Sequence, residues 1–195
     1  TARAKKCLTI EQHREIQAAI PQYIMVKANA GTIGVTPDGC KALSSFVNVF
    51  VGEAEWCRLG PFGVVGACSA MVYWNPWVVF DAWEHLRSRD WSSLKSAGRK
   101  ITQLHEFLIS AYSDKNFTDS ADDRNAARAT GFLGTSLRTR GPYGHATEGD
   151  TEILRLWLQE HYPEMLDMQW NSNGSQRRPH FSIDRQASAT SLAKK

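Results

Sequence analysis

This sequence lacks the marks of several large classes of protein. No apolar stretch in its 195 residues reaches the length of about 18 residues that a membrane-spanning helix needs. The basic segment 1–6 is not followed by the apolar stretch of a signal peptide, so we expect a cytoplasmic protein. The net charge of +3 is too small to indicate binding to nucleic acid or to an anionic membrane surface.

Cysteine and histidine are also scarce, and neither forms a recognisable pattern. Cys7, Cys40, Cys57 and Cys68 show no C-x-x-C pairing, so the sequence predicts neither a zinc site nor a disulfide framework. The histidines have no ligand-like spacing either, and we expect them on helix surfaces. The ones in question are His85, His105, His145 and His161.

The most informative stretch is the short apolar run 23–27, which ends in Lys27. Its length, between Pro21 and Gly31, predicts a buried parallel strand. Enzymes with parallel barrels carry their chemistry at the carboxyl ends of the strands. A lysine amine held there in apolar surroundings loses its proton more easily and can attack carbonyl groups. The alternative is a strand-end lysine that extends its ammonium group to water.

Helices and strands alternate through the first part of the chain. Thr9 and Gln12 form a capping box that predicts a helix up to Ile20, and Thr36-Pro37 predicts a second helix up to Ser44. Apolar runs predict further strands over 46–51 and 63–69. Short connections between alternating elements indicate a parallel sheet with crossover helices.

From about residue 90 the pattern becomes entirely helical. Asn75-Pro76 predicts the start of a helix that ends near Arg89, and apolar periodicity predicts three more. We therefore divide the chain into an α/β part over 1–90, a helical part over 91–168 and a flexible polar and basic tail over 169–195. The three later helices are expected over 91–112, 121–133 and 151–161.

The order of these features resembles the second half of the dihydrodipicolinate synthase and N-acetylneuraminate lyase family. In that family the sixth strand ends in a Schiff-base lysine, the seventh in Gly-Asp/Glu and the eighth carries a G-x-x-G-x-x-S-like segment. The corresponding features here are Lys27, Gly52-Glu53 and 63–69, followed by the Asn-Pro helix. The resemblance covers about residues 9–162. It implies an α/β fold, the C-terminal part of a (β/α)8 TIM barrel with about three strands, followed by a C-terminal helical bundle.

The resemblance also implies a class I lyase or aldolase that acts on pyruvate or a related 2-keto acid. Lys27 would be the catalytic nucleophile, and its iminium would serve as the electron sink, so no metal and no organic cofactor is expected. Glu53 and Ser69 are candidates for substrate binding, with structural hydrogen bonds as the alternative role. Trp74 is either a wall of the substrate pocket or a core aromatic residue. The resemblance also implies that the protein forms a homo-oligomer, either a dimer or a tetramer.

The resemblance leaves the substrate open. Bulky residues at Tyr73-Trp74-Asn75 resemble the branch that splits benzylidenepyruvates into an aromatic aldehyde and pyruvate. Dihydrodipicolinate synthase-like condensation and sugar-acid dehydration are the other candidates. In the family, the proton-shuttling tyrosine and the residues that hold the pyruvate carboxylate lie on earlier strands. The residues before Lys27 in this sequence include no counterpart of either. We therefore expect these residues to be the C-terminal part of a longer polypeptide; the alternative is an inactive relative that serves only assembly.

The acidic residues in the second half of the chain suggest no catalytic pair. They fall in loops and in the first turns of helices, where carboxylates favour the helix N-terminus. We expect them to be solvated helix caps. The residues concerned are Asp122, Asp123, Glu148, Asp150 and Glu152.

Overall fold

The computed structural model describes residues 6–168, which form an α/β unit followed by a helical unit. The predicted tail over 169–195 lies outside the described residues. The strands are β1 Met25–Lys27, β2 Asn48–Val51 and β3 Val64–Ala67. The helices are α1 Ile10–Ala19, α2 Pro37–Ser44, α3 Glu53–Leu59, α4 Pro76–Ser88, α5 Trp91–Tyr112, α6 Asp119–Thr130 and α7 Glu148–His161.

Local capping chemistry determines where most of these helices begin. Thr9 and Gln12 form the predicted capping box at the start of α1, and the Thr36 side chain accepts a hydrogen bond from the N–H of Gly39 in α2. Asp90 caps α5 by accepting from the N–H of Ser93. The predicted starts of these three helices are therefore confirmed.

The three strands form a parallel sheet in the order β1-β2-β3. Lys27 lies beside Phe50, and Val51 lies beside Ala67, so all three carboxyl ends meet at one edge. The strands occupy the predicted positions but are shorter, because each predicted run includes loop residues that leave the ladder.

Only one face of this sheet is covered by the described helices. Val49, Val51 and Val64 are buried against the helices in the first hydrophobic core. Met25 and Val65 are 46% and 44% exposed on the other side. The prediction that the first strand is fully buried is therefore wrong for residues 6–168, since only its Val26 side packs against helices.

The helical unit has a second core that shares α5 with the first. Leu94 near the start of α5 belongs to the first core, whereas Ile101 and Leu104 belong to the second. Gly98 permits the close packing of α5 on α3, because a Cβ atom there would lie 2.5 Å from the Cβ of Cys57. The long helix therefore joins the two units through a continuous interface.

Asn75 makes a second connection between the units. Its side chain is fully buried, and its Oδ1 caps α4 by accepting from the N–H of Trp77 at 3.0 Å. Its Nδ2 donates to the carbonyl oxygens of Glu164, Met165 and Asp167 at 3.1, 3.2 and 3.4 Å. The end of the helical unit is thus attached to the first turn of α4. Among residues 6–168, no helix is long and apolar enough to cross a membrane.

Candidate functional site

An open cleft of about 730 Å³ lies at the carboxyl edge of the sheet. Its floor consists of residues that end or directly follow the three strands: Lys27, Gly52-Glu53 and Cys68-Ser69. Residues of α5 and α6 form the opposite wall. The parallel sheet therefore brings together strand-end side chains that are up to 42 positions apart in the sequence, from 27 to 69.

Lys27 is the last residue of β1, and its side chain is exposed in the cleft. Its ammonium group forms no hydrogen bond or ion pair with any residue in the range 6–168. The predicted apolar enclosure is absent from these residues, because the cleft wall that they supply contains several carboxylates. Lys27 is nevertheless free to reach a ligand in the cleft.

Glu53 begins α3 directly after β2 and is 9% exposed. Its Oε1 lies 3.8 Å from Nε2 of His105, which projects from α5. The expectation that His105 is a plain helix-surface residue is wrong, since it lines the cleft and faces this carboxylate. This contact joins the start of α3 to α5 at the floor of the cleft.

Ser69 follows β3 and lines the same cleft. Its Oγ accepts a hydrogen bond from the N–H of Met71 at 3.1 Å and so caps the 3-10 turn Ala70–Tyr73. The structural role that the sequence left open for Ser69 is therefore present. Its hydroxyl hydrogen is still available to donate into the cleft, because capping uses only a lone pair.

Trp74 combines the two roles that the sequence left open. It is 4% exposed and belongs to the second core, and it also lines the cleft. Its carbonyl oxygen accepts a hydrogen bond of 2.6 Å from Oγ1 of Thr130, which fixes the end of α6 against it. The indole N–H is buried beside the carboxylate of Asp123.

The first turns of α6 bring three carboxylates to the cleft: Asp119, Asp122 and Asp123. Burial, together with the nearby charges of Asp123 and Asp119, raises the pKa of Asp122 to about 6. Burial also raises the pKa of Asp123, and the Trp74 indole opposes that rise. The prediction that Asp122 and Asp123 are solvated caps is therefore wrong, since both are partly buried and face the cleft.

The other acidic residues behave differently. Glu148 and Glu152 are exposed on α7, as expected. Asp150 does cap this helix with Thr147, but it is 3% exposed and its Oδ1 lies 2.6 Å from Nζ of Lys115.

The described residues contain no group of His, Cys, Asp or Glu side chains arranged to hold a metal ion.

Comparisons with known proteins identify the fold. A scan against models of protein families finds no match, and a search of curated proteins finds no similar sequence. The structure is similar to YagE, a prophage protein of E. coli K12 that belongs to the dihydrodipicolinic acid synthase family and was solved in complex with pyruvate. That similarity has a TM-score of 0.62 at 16% identity, over 78% of this chain and 51% of YagE.

Two further solved structures give the same picture. Dihydrodipicolinate synthase from Aquifex aeolicus has a TM-score of 0.59 at 13% identity, over 78% of this chain and 50% of that enzyme. PhdJ bound to a substrate intermediate has a TM-score of 0.53 at 23% identity, over 78% and 51% of the two chains. This chain therefore spans about half the length of the solved structures that it matches. The predicted fold, part of a TIM barrel followed by helices, is confirmed.

Proposed function

We propose that this chain provides the lysine-bearing part of a class I lyase or aldolase that acts on pyruvate or a related 2-keto acid. The observation that carries the proposal is the position of Lys27 at the carboxyl end of β1, in the same cleft as Glu53 and Ser69. The fold is shared with YagE, which binds pyruvate. Because the chain spans half of such proteins, the activity belongs to a protein with a complete barrel.

The proposed chemistry needs only an amine and proton transfers. The neutral Nζ of Lys27 attacks the C2 ketone of pyruvate, and the resulting carbinolamine takes up a proton and loses water to give an iminium ion. The iminium withdraws electrons from C3, which loses a proton to a base and becomes an enamine carbon. This carbon attacks an aldehyde, whose oxygen takes up a proton, and hydrolysis then releases the product and free Lys27. Cleavage runs through the same steps in reverse.

The other cleft residues fit supporting roles. Ser69 can donate its free hydroxyl hydrogen to a substrate oxygen while its Oγ keeps the turn capped. Glu53 lies in the floor of the cleft beside His105, and Trp74 forms an aromatic wall. Tyr73 is 50% exposed next to it and adds further ring surface. This aromatic surface favours the hydratase-aldolase branch, in which water first adds to the double bond of a benzylidenepyruvate and cleavage then yields an aromatic aldehyde and pyruvate.

Exchange of the methyl protons of pyruvate for deuterium tests the proposal without any knowledge of the aldehyde. Enamine formation removes a C3 proton, and reversal in D2O returns a deuteron, so the pyruvate methyl signal in a proton NMR spectrum should decay. Lys27→Ala should abolish this decay in the full-length protein. Lys41→Ala, which removes an exposed lysine of α2, is the matched control and should leave it intact. Equal exchange rates in the two variants would refute the role of Lys27.

Two further properties follow from the family resemblance and belong to the same proposal. We expect the complete protein to be a homo-oligomer, a dimer or a tetramer, and to act in the cytoplasm. Size-exclusion chromatography with light scattering on the full-length protein measures the oligomeric state directly.

A further inference from the structure

A second cavity, of about 280 Å³, lies between α4 and α5. Tyr162 and Glu164, which follow α7, contribute to its wall. None of the residues that line this cavity also lines the cleft that contains Lys27. The proposed lyase chemistry therefore gives this cavity no role.

One side of the cavity is apolar. It consists of Val78 and Ala82 of α4 and Ala97 of α5. All three residues belong to the two hydrophobic cores or pack against them, so this side is fixed in place. The volume is just below the usual range of ligand pockets, which starts near roughly 300 Å³. The cavity therefore has room for one small organic molecule.

The buried polar group of this cavity is the hydroxyl of Tyr162. The residue is 3% exposed, and its hydroxyl forms no hydrogen bond with any residue in the range 6–168. Burial raises the pKa of Tyr162, and the nearby carboxylates of Glu164 and Asp81, which line the same cavity, add to that rise. The hydroxyl therefore faces the cavity. A buried hydroxyl that lacks a partner is destabilising, and a ligand in the cavity supplies that partner.

Most charged groups of the cavity already have partners. Lys100 forms an ion pair with Glu164, and its Nζ lies 5.3 Å from the centroid of the Tyr162 ring. Nδ1 of His85 lies 3.7 Å from Oδ2 of Asp90. These contacts hold the ring and the two rims of the cavity in position, and they leave the charges of Lys100 and Glu164 balanced against each other.

Asp81 is the exception among the described charged residues that line the cavity. It lies in the middle of α4 and forms no ion pair or hydrogen bond with any residue in the described range. Its carboxylate accepts hydrogen bonds only, whereas the phenol oxygen of Tyr162 can accept one as well as donate one. The two unpartnered groups of the cavity can therefore accept hydrogen bonds from the same donor group.

We infer that the cavity between α4 and α5 binds a small organic amine, whose ammonium group donates to the carboxylate of Asp81 and to the phenol oxygen of Tyr162. The apolar body of the amine packs against the alanine and valine side of the cavity. An anionic ligand is disfavoured because it would lie beside the unpaired carboxylate of Asp81. A neutral ligand leaves that carboxylate without a counter-charge.

Benzylamine and benzyl alcohol test this inference, because they have nearly the same shape and differ in one positive charge at pH 7.5. Their dissociation constants are measured on the full-length protein by ligand-observed NMR. Benzylamine should bind about fivefold more tightly, which is the size of effect expected for a partly solvated ion pair. Equal binding of the two compounds, or no binding of benzylamine, would overturn the inference.

Two substitutions on α4 assign the binding to this cavity. Asp81→Asn should abolish the preference for benzylamine, because it removes the counter-charge and keeps the shape of the side chain. Glu84→Gln removes a carboxylate that lies outside the cavity on the same helix, and it should leave the preference unchanged. If benzylamine bound equally well to the Asp81→Asn variant, the amine would be held elsewhere, in the cleft for example, and the inference would fail.

Tyr162→Phe separates a ligand-binding hydroxyl from a structural one. The variant should bind benzylamine about threefold more weakly or worse, because a hydrogen-bonding group of the site is lost. Its midpoint of thermal unfolding without ligand should be unchanged or higher, since the hydroxyl forms no hydrogen bond within residues 6–168. A lower midpoint together with unchanged benzylamine binding would show that the hydroxyl has a structural partner, and this result would overturn the inference.

Discussion

Replacement of Asn75 by alanine should be among the most destabilising substitutions in the described chain. The change removes the cap of α4, which contributes about 1 kcal/mol. It also removes the donor to three carbonyl oxygens, of which the two shorter bonds, to Glu164 and Met165, contribute about 1 kcal/mol each. We therefore expect the free energy of unfolding to fall by about 3 kcal/mol.

Urea denaturation followed by tryptophan fluorescence and by far-ultraviolet circular dichroism measures this loss. Asn75→Asp keeps an oxygen to cap α4 but turns a carboxylate towards the carbonyl oxygens, so at pH 7 it should be at least as unstable as Asn75→Ala. Asn48→Ala, at an exposed position of β2, is the matched control and should change stability by less than about 0.5 kcal/mol. A loss of less than about 1 kcal/mol in Asn75→Ala would refute the reasoning that this side chain joins the two units.

Three further substitutions test other parts of the structure. Asp122→Asn should raise the free energy of unfolding by about 1 kcal/mol above pH 6. The pKa of this carboxyl rises from 3.8 to about 6 on folding, which destabilises the folded state by about 3 kcal/mol when the carboxyl is ionised. We reduce this value to about 1 kcal/mol because the side chain is partly exposed to solvent. The gain should build up between pH 4 and pH 6 in urea titrations and vanish below that range; a gain independent of pH would contradict it. Gly98→Ala should cost about 1–3 kcal/mol by thermal unfolding because its Cβ would overlap with Cys57, whereas Gly149→Ala, whose Cβ would meet ordinary contacts, should be neutral or stabilising. Asp150→Asn should cost about 2 kcal/mol at pH 7. Burial raises the pKa of Asp150, but hydrogen bonds from its lysine and threonine partners outweigh this and lower it overall. The cost should therefore shrink as the pH falls below about 4, and a cost that stays constant would count against this pairing.

Local chemistry explains why so much of the helical structure could be predicted from the sequence. The boundaries of α2 and α5 coincide with the prediction. The reason is that Thr36-Pro37 and Asp90 cap the first turn of the helix that directly follows them. The parallel sheet also agrees with the prediction, and it places Lys27, Glu53 and Ser69 in one cleft. The order of strands and helices in a sequence already determines that parallel strand ends meet.

The features that sequence reasoning missed depend on long-range packing. Asp122, Asp123 and His105 line the cleft because α5 and α6 fold back over the strand ends, and no spacing in the sequence encodes that placement. The one usable signal was the alanine-rich face of α6, with buried Ala126 and Ala129, which marks a helix that packs closely on its neighbours. A closely packed helix cannot keep all its first-turn carboxylates in open water.

The exposed inner face of the sheet has a different physical origin. Apolar strands in a closed barrel are covered on both faces, and this is the pattern that the composition of β1 and β3 predicts. Within residues 6–168, helices pack only on the outer face of the sheet. Met25 and Val65 are therefore exposed although their residue types are typical of a barrel interior.

The central claim is that Lys27 forms an imine with a 2-keto acid. The most direct measurement is mass spectrometry of the full-length protein after incubation with pyruvate and borohydride, followed by peptide mapping. We predict one reduced pyruvate adduct, located on Lys27 and absent from Lys27→Ala. A folded protein with a complete barrel that yields no adduct, or an adduct at another lysine, would contradict the account.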